Sequence, residues 1–414
     1  MNRIQKLFLD AVGTAIAGNR VTWQESLSAD DWRALFRLAS THQVLPLFLE
    51  GVYACPAIAG ADPADMAAVR QDVRRQVMIQ ARRTMELLHL YPRLIAGGVD
   101  ALVVKGIVCR ELYPQPDMRP SNDEDILIPP EHYGNAKEIL GTLGYIPADP
   151  AAEETDSYEV PFHKPGSPLH IELHKQLFSQ TSQAYGEMAD LFLRVHDTPM
   201  ELNAMGTPIR TLSPTDHLFY LICHAFKHFL HSGFGIRQVC DIMLFSSHYG
   251  KEVHWEEFWE NCRGIRADQF ALALFHIGEE YLNFNPEAAC FPNPQTYREM
   301  DSQALLEDLL CSGIYGDADM SRKHSSNITL DAVAAQKQGR KAKGSLRSSL
   351  FPSAESLSGR YSYLKDKPWL LPIAWASRVA GYAAKGQTKG NNAAESLNIG
   401  KQRVELMRKY GIID

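Results

Sequence analysis

From residue 1 to residue 95 the apolar positions recur at helical spacing, which predicts an N-terminal helical region. Ile4, Leu7, Phe8, Ala11 and Ala15 form one stripe, and Trp32, Leu35, Phe36, Leu38 and Ala39 a second. Gln71 to Leu90 continues as a long charged-and-apolar helix, with Pro92 and Gly97-Gly98 marking its expected end. The period then changes. Asp100 to Val104 is a short, β-branched run ending at Lys105-Gly106, where a helix can begin. Ile126 to Ile128, entered from Asp123, reads as a second strand and stops at Pro129-Pro130. Ala136 to Leu143 suits a helix capped by Gly144. Tyr158 to His163 and Leu169 to His174 read as two more strands, and Val195 to Arg210 as a small hairpin. Beyond Pro214 the helical period returns over Asp216 to Leu230, Arg237 to Ser246 and Trp255 to Leu282.

These periods give an α+β fold in five stretches. They are an N-terminal helical region (1–95), a core with a small mixed β-sheet (96–212), a helical domain closing the cleft (213–315), a basic mobile linker (316–348) and a C-terminal helical tail (349–414). In the linker Arg322, Lys323, Lys337, Arg340, Lys341, Lys343 and Arg347 outnumber Asp317, Asp319 and Asp331, and such a charge run is ordinarily solvated. Tyr361 to Ala384 is aromatic enough to dock on the body.

A chain of 414 residues, 45% hydrophobic and 22% charged, has ample apolar material for such cores. Its net charge of -7 argues against wrapping nucleic acid, so nucleic acid is not expected as a partner. The seven cysteines contain no CxxC pair and are odd in number, which suits reduced thiols and a cytoplasmic location. Arg3 and Lys6 before an apolar stretch imitate a secretion signal, but Asp10 interrupts it, and an amphipathic helix is the better reading. No run reaches the roughly 18 apolar residues of a membrane span.

The chemistry concentrates in Asp123-Glu124-Asp125. On a strand Asp123 and Asp125 share a face, about 7 Å apart at their Cα atoms. Two such carboxylates stay ionised cheaply only with a cation between them, and magnesium takes hard carboxylate oxygens. In phosphoryl or nucleotidyl transfer, two ions about 4 Å apart activate the attacking oxygen and stabilise the leaving group. Upstream, the strand, Lys105-Gly106 and the following helix offer backbone N–H groups to a phosphate. Downstream, alternation puts His170, Glu172 and His174 on one strand face, where Glu172 serves as a third metal ligand or as a base.

Leu102-Val-Val-Lys-Gly106, Leu112-Tyr-Pro114, Arg119-Pro120, Asp123-x-Asp125 and Ile171-Glu-Leu-His174 together resemble an uncharacterised bacterial nucleotidyltransferase family of the polymerase-β-type superfamily. The resemblance extends to His224-x-x-Lys-His228, Asp241, Arg360-Tyr361 and Leu370-Leu-Pro372. It implies a nucleotidyltransferase core in which Asp123 and Asp125 hold metal and Glu172 is the third acid. Lys105 and Gly106 stand where better-studied members carry Gly-Ser. Asn122 replaces a common glycine, and Glu124 replaces an apolar residue and is expected on the opposite face.

The expected function is magnesium-dependent transfer of a nucleoside monophosphate from a nucleoside triphosphate to an unidentified small-molecule or protein acceptor, using two ions. Lys105, Gly106, Arg119 and Lys227 are candidates for holding phosphates. Lys105 has the alternative of pairing with Asp123 or Asp125, and Arg119 that of bracing the carboxylates. His217, His224, His228 and His231 fall near one helical face, as cleft lining or as packing. Arg237 and Asp241 are spaced as an i,i+4 pair. A degenerate nucleotide-binding or partner-recruiting module is the alternative function, and a phosphotransferase moving the γ-phosphate a third.

Overall fold

A computed structural model describes residues 1–148, 157–231, 233–312, 320–340, 364, 367–377 and 393–414. The chain divides into two compact units, Met1–Phe226 with Gly235–Ile314, and Lys227–Phe234 with Tyr315–Asp414. The fold is mixed α+β, largely helical, with a small mixed sheet.

In the first unit the N-terminal stripes become α1 (Arg3–Ile16), α2 (Ala29–Thr41) and α3 (Leu45–Val52). Asn2 and Ser28 cap the first two through capping boxes, satisfying N–H groups the helices leave open. Phe8, Trp32, Phe36 and Phe48 pack against one another in the core of these helices. Burying each such ring contributes about 2–3 kcal/mol. The apolar start of the chain is therefore an amphipathic helix, with Leu7, Phe8 and Val12 buried and Asp10 exposed.

The long helix α4 spans Pro63–Ala96, longer than expected, and runs through Pro92 before Gly97 ends it. Leu87, Leu90, Tyr91 and Leu94 bury one face across the proline, and that packing outweighs one lost backbone hydrogen bond. The five-stranded sheet has the order β1-β2-β5-β4-β3, with β1 Leu102–Val104, β2 Glu124–Leu127, β3 Ile146–Pro147, β4 Glu159–His163 and β5 His170–His174. Only β2 and β5 run parallel. The two-residue edge strand β3 carried no legible alternation. Helices α5 (Gly106–Arg110) and α6 (Tyr133–Thr142) follow β1 and β2. A separate hairpin pairs β6 (Met200–Ala204) with β7 (Thr207–Thr211), starting later than Val195. Met205 and Gly206 turn it, both with positive φ, as a two-residue hairpin requires.

Helices α7 (Pro214–His231) and α8 (Ile236–Tyr249) follow. The helix expected over Trp255 to Leu282 is two, α9 (Trp255–Gly264) and α10 (Asp268–Tyr281). Arg266 between them adopts a φ of 58°, which no helix continues through.

In the second unit, the stretch expected as a linker contains helix α12 (Met320–Lys337), after α11 (Gln303–Ser312) of the first unit. Ile328, Ala332 and Val333 are buried in α12, and it pairs with α13 (Ala393–Lys409). A side chain on Gly400 of α13 would collide with Ile328, so glycine permits the close approach. The basic composition hid this apolar stripe. Residues 316–319 and 341–348 of the expected linker and half of the segment from Tyr361 to Ala384 lie outside the described residues. Among described residues no helix is long and apolar enough to cross a membrane.

Candidate functional site

The site is built where β2 lies between β1 and β5. Register places Asp125 opposite Val104 on one side and Glu172 on the other. Adjacent strand residues point to opposite faces, so Glu124 and Asp125 part company.

Glu124 turns to helix α5. Its Oε1 lies 2.7 Å from Arg110 Nη1, and its Oε2 accepts the Ile107 N–H at 2.9 Å. Ser121 Oγ also donates to Oε1. Both members of the Glu124–Arg110 pair are fully buried. A Cβ on Gly106 would fall on Glu124 Oε2, so the glycine expected at a phosphate is needed for packing. An acid is tolerated on this buried face because a guanidinium and a helix N-terminus meet it.

Asp125 turns to the other face, nearly fully buried. Its Oδ2 lies 2.6 Å from Lys105 Nζ, and its Oδ1 lies 3.5 Å from His174 Nε2. The same His174 nitrogen lies 3.5 Å from Glu172 Oε2, while Nδ1 faces Glu159 Oε2 at 3.6 Å. Glu172 remains half-buried, and Asp123, one residue ahead of β2, is half-buried as well. Among the described residues Asp125, Glu172 and His174 form a group of ligand atoms lying within 4.8 Å of one another. Asp123 stands outside that group, although its charge acts on Glu172 and Lys105.

Burial opposes ionisation of Asp125, but Lys105 and then His174 overcome it and hold the carboxyl far below the usual range. Burial likewise opposes the His174 imidazolium, and Asp125 and Glu172 reverse that, raising it to about 10. Contact with His174 draws the Glu172 carboxyl down, yet burial and the charges of Asp125 and Asp123 leave it above its ordinary value. A histidine raised from 6.5 stabilises the fold fully below 6.5 and loses that contribution as pH climbs through the folded value. Metal-free protein should therefore lose a few kcal/mol between about pH 6.5 and 10. Thermal melts across that range check it, and His174→Gln should flatten the slope.

Lys105 sits in a turn with φ 59° and ψ -105°, a conformation non-glycine residues seldom adopt. His217 holds it there. Its Nε2 accepts the Lys105 backbone N–H at 3.2 Å, which leaves Nδ1 to donate to Thr211 Oγ1 at 2.9 Å. Burial pushes His217 down to about 3, so the ring is neutral. Farther along α7, His224 Nε2 accepts from Lys105 Nζ at 3.3 Å. Two of the four predicted histidines thus shape the turn that carries Lys105. His228 and His231 belong to the second unit, as does Lys227, expected at a phosphate. There burial and then the Lys227 charge push His231 down to about 4.

Arg119, the other phosphate candidate, is turned elsewhere. Its Nε and Nη2 donate to the two oxygens of Asp241 at 2.7 and 2.6 Å, both side chains being buried. Tyr113 Oη adds a bond to Asp241 at 2.8 Å. Asp241 is therefore the partner of Arg119, and Arg237, expected to pair with it, donates to the Pro120 carbonyl. Helix spacing marked Arg237 as a neighbour, whereas the partner lies 122 residues away in sequence. From α4, Arg83 donates to the Ser121 and Pro168 carbonyls, and Gln80 Oε1 accepts the Ser121 N–H. The loop that delivers Asp123 is thereby tied to both neighbouring segments.

The cluster suits a cation, because Asp125, Glu172 and His174 bring three ligand atoms together, and in their present state Lys105 at 2.6 Å and His174 at 3.5 Å supply the positive charge that Asp125 needs. Residues 28–283 match the model of a family described as "Uncharacterised nucleotidyltransferase". No curated protein matches the chain. A solved structure, the crystal structure of an antigenic nucleotidyltransferase-like protein from Paracoccidioides brasiliensis, is 13% identical, with a TM-score of 0.31. The match covers 50% of this chain and 94% of that one.

Proposed function

This chain belongs to the uncharacterised nucleotidyltransferase family, and from that premise we propose that it moves a nucleoside monophosphate from a nucleoside triphosphate to an acceptor hydroxyl or similar group. The observation that carries the reading is the buried grouping of Asp125, Glu172 and His174 beside the Lys105 turn. Asp123, Asp125 and Glu172 would hold divalent ions, two magnesium ions in the simplest form. Such ions supply charge neutralisation at the transferring phosphorus and an activated acceptor oxygen.

The chain's own groups divide the remaining work. Asp125 stays ionised at any physiological pH and so keeps a fixed negative charge. Glu172, raised by burial and its acidic neighbours against the pull of His174, either completes the metal site or takes the proton of an acceptor hydroxyl. Lys105 would pass from Asp125 to a phosphate oxygen once a metal ion replaces it.

Calorimetric titration with ATP, GTP, CTP and UTP, with and without magnesium, tests this directly. Wild-type protein should bind at least one triphosphate in a magnesium-dependent way, and Asp123→Asn/Asp125→Asn should lose it. Unchanged binding in the double variant would remove the proposal. Pyrophosphate release identifies nucleotidyl transfer, and release of a nucleoside diphosphate would mark a kinase.

A second reading rests on Lys105 and His174 already neutralising Asp125. It is a nucleotide-binding or recruiting module without turnover, expected to bind triphosphate yet release no pyrophosphate across an acceptor screen.

A further inference from the structure

We infer that Asp125, Glu172 and His174 form the seat of one resident divalent ion of the manganese and zinc class, bound before any nucleotide arrives and preferred over magnesium. The inference rests on the proposed function only in placing that ion at the reaction centre.

The ligand geometry comes first. Two donors each about 2.1 Å from a common ion lie roughly 3.0 to 4.2 Å apart, depending on the angle between them. His174 Nε2 is 3.5 Å from Asp125 Oδ1 and 3.5 Å from Glu172 Oε2, inside that window on both sides. The strands enforce it: Asp125 pairs with Glu172, and His174 follows on the same face of β5.

The outer partner of the imidazole is the independent observation. A metal-bound histidine commonly turns its far nitrogen to a carboxylate, which fixes the ring and strengthens the near nitrogen as a donor. His174 has that arrangement, because Nδ1 faces Glu159 Oε2 at 3.6 Å and β4 pairs Glu159 directly with His174. Neither ring nitrogen makes a hydrogen bond, although the side chain is only 6% exposed. Three carboxylates thus surround one buried ring, with Nε2 aimed between two of them.

The choice of ion follows from donor chemistry. Magnesium prefers an all-oxygen octahedron and sheds water reluctantly. Imidazole suits zinc, iron, nickel and copper, and manganese, the first member of the Irving–Williams series, shares the carboxylate preference of magnesium yet accepts a nitrogen donor more readily. Asp123, standing outside the group, would serve an ion that enters with the triphosphate. The two ions are then unequal: one resident on a mixed oxygen and nitrogen set, one exchanging with substrate.

The test is titration of the EDTA-treated full chain with manganese and with magnesium, nucleotide absent, for wild type, His174→Gln and His174→Asp. Wild type should bind one manganese ion at least about tenfold more tightly than magnesium, and His174→Gln should lose at least about tenfold in manganese affinity. His174→Asp, with an all-oxygen set, should bind an ion without the preference. Cooperative thermal melts establish that each variant is folded. If the glutamine variant is not, Glu159→Gln takes its place, and a smaller loss of manganese affinity is expected. Equal affinity for the two ions in wild type, or no divalent binding without nucleotide, overturns the inference. So does manganese affinity unmoved in His174→Gln, which would leave His174 as a plain counter-ion to the acids. Magnesium-dependent nucleotide binding through Asp123 and Asp125, without a manganese preference, removes this inference alone; absence of both nucleotide and divalent binding removes the proposed function too.

Discussion

Replacing Arg110 with methionine should lower the stability of the fold by about 3–5 kcal/mol. The guanidinium and the Glu124 carboxylate are both fully buried and meet at 2.7 Å. Removing the cation leaves a carboxylate in a dry interior, held only by the Ile107 N–H and the Ser121 hydroxyl. Nε and Nη2 of Arg110 have no partner of their own, so the pair already carries an uncompensated cost. Breaking it is nevertheless far worse than lacking it, because the desolvated charge stays behind. Urea unfolding of wild type and Arg110→Met measures the loss. Adding Glu124→Gln should restore part of it, since a neutral amide still accepts the Ile107 N–H. A single variant within about 1 kcal/mol of wild type would show that Glu124 finds other compensation.

Gly106→Ala is the second large expectation, and it couples stability to the site. The new Cβ would land on Glu124 Oε2, whose carboxylate is pinned by Arg110, Ser121 and Ile107. Overpacking of this kind costs about 1–3 kcal/mol. The carboxylate or the backbone of the turn must move, and the turn also fixes Lys105, held by His217 on its other side. The melting temperature should fall by several degrees. Magnesium-dependent nucleotide affinity should fall with it, since the displaced turn no longer delivers Lys105 to the phosphate. A variant that melts with wild type and binds nucleotide equally would show that the turn yields without cost.

That Glu172 faces the same way as His170 and His174 was legible because strand alternation is strict, whereas its register opposite Asp125 came only with the fold. Alternation gave no hint that the imidazole would sit between two acids with a third behind it, since Glu159 comes from a strand whose pairing no local pattern declares. Arg119 and Asp241 were harder still. Each had a nearer candidate in sequence, and a guanidinium is drawn by whichever carboxylate the fold buries beside it.

Local rules by themselves determined the amphipathic helices, the short β-branched strands, the strand–turn–helix at Lys105 and the face shared by Glu172 and His174. Each depends on neighbours within a few residues, where propensity and period act. The tertiary structure alone decided which charges meet across the fold. It joined Glu124 to Arg110, Asp241 to Arg119 and His217 to the Lys105 turn, and it stood Asp123 apart from the group formed by Asp125, Glu172 and His174. Coulombic partners are chosen by distance and by exclusion of water, and both are properties of the packed chain.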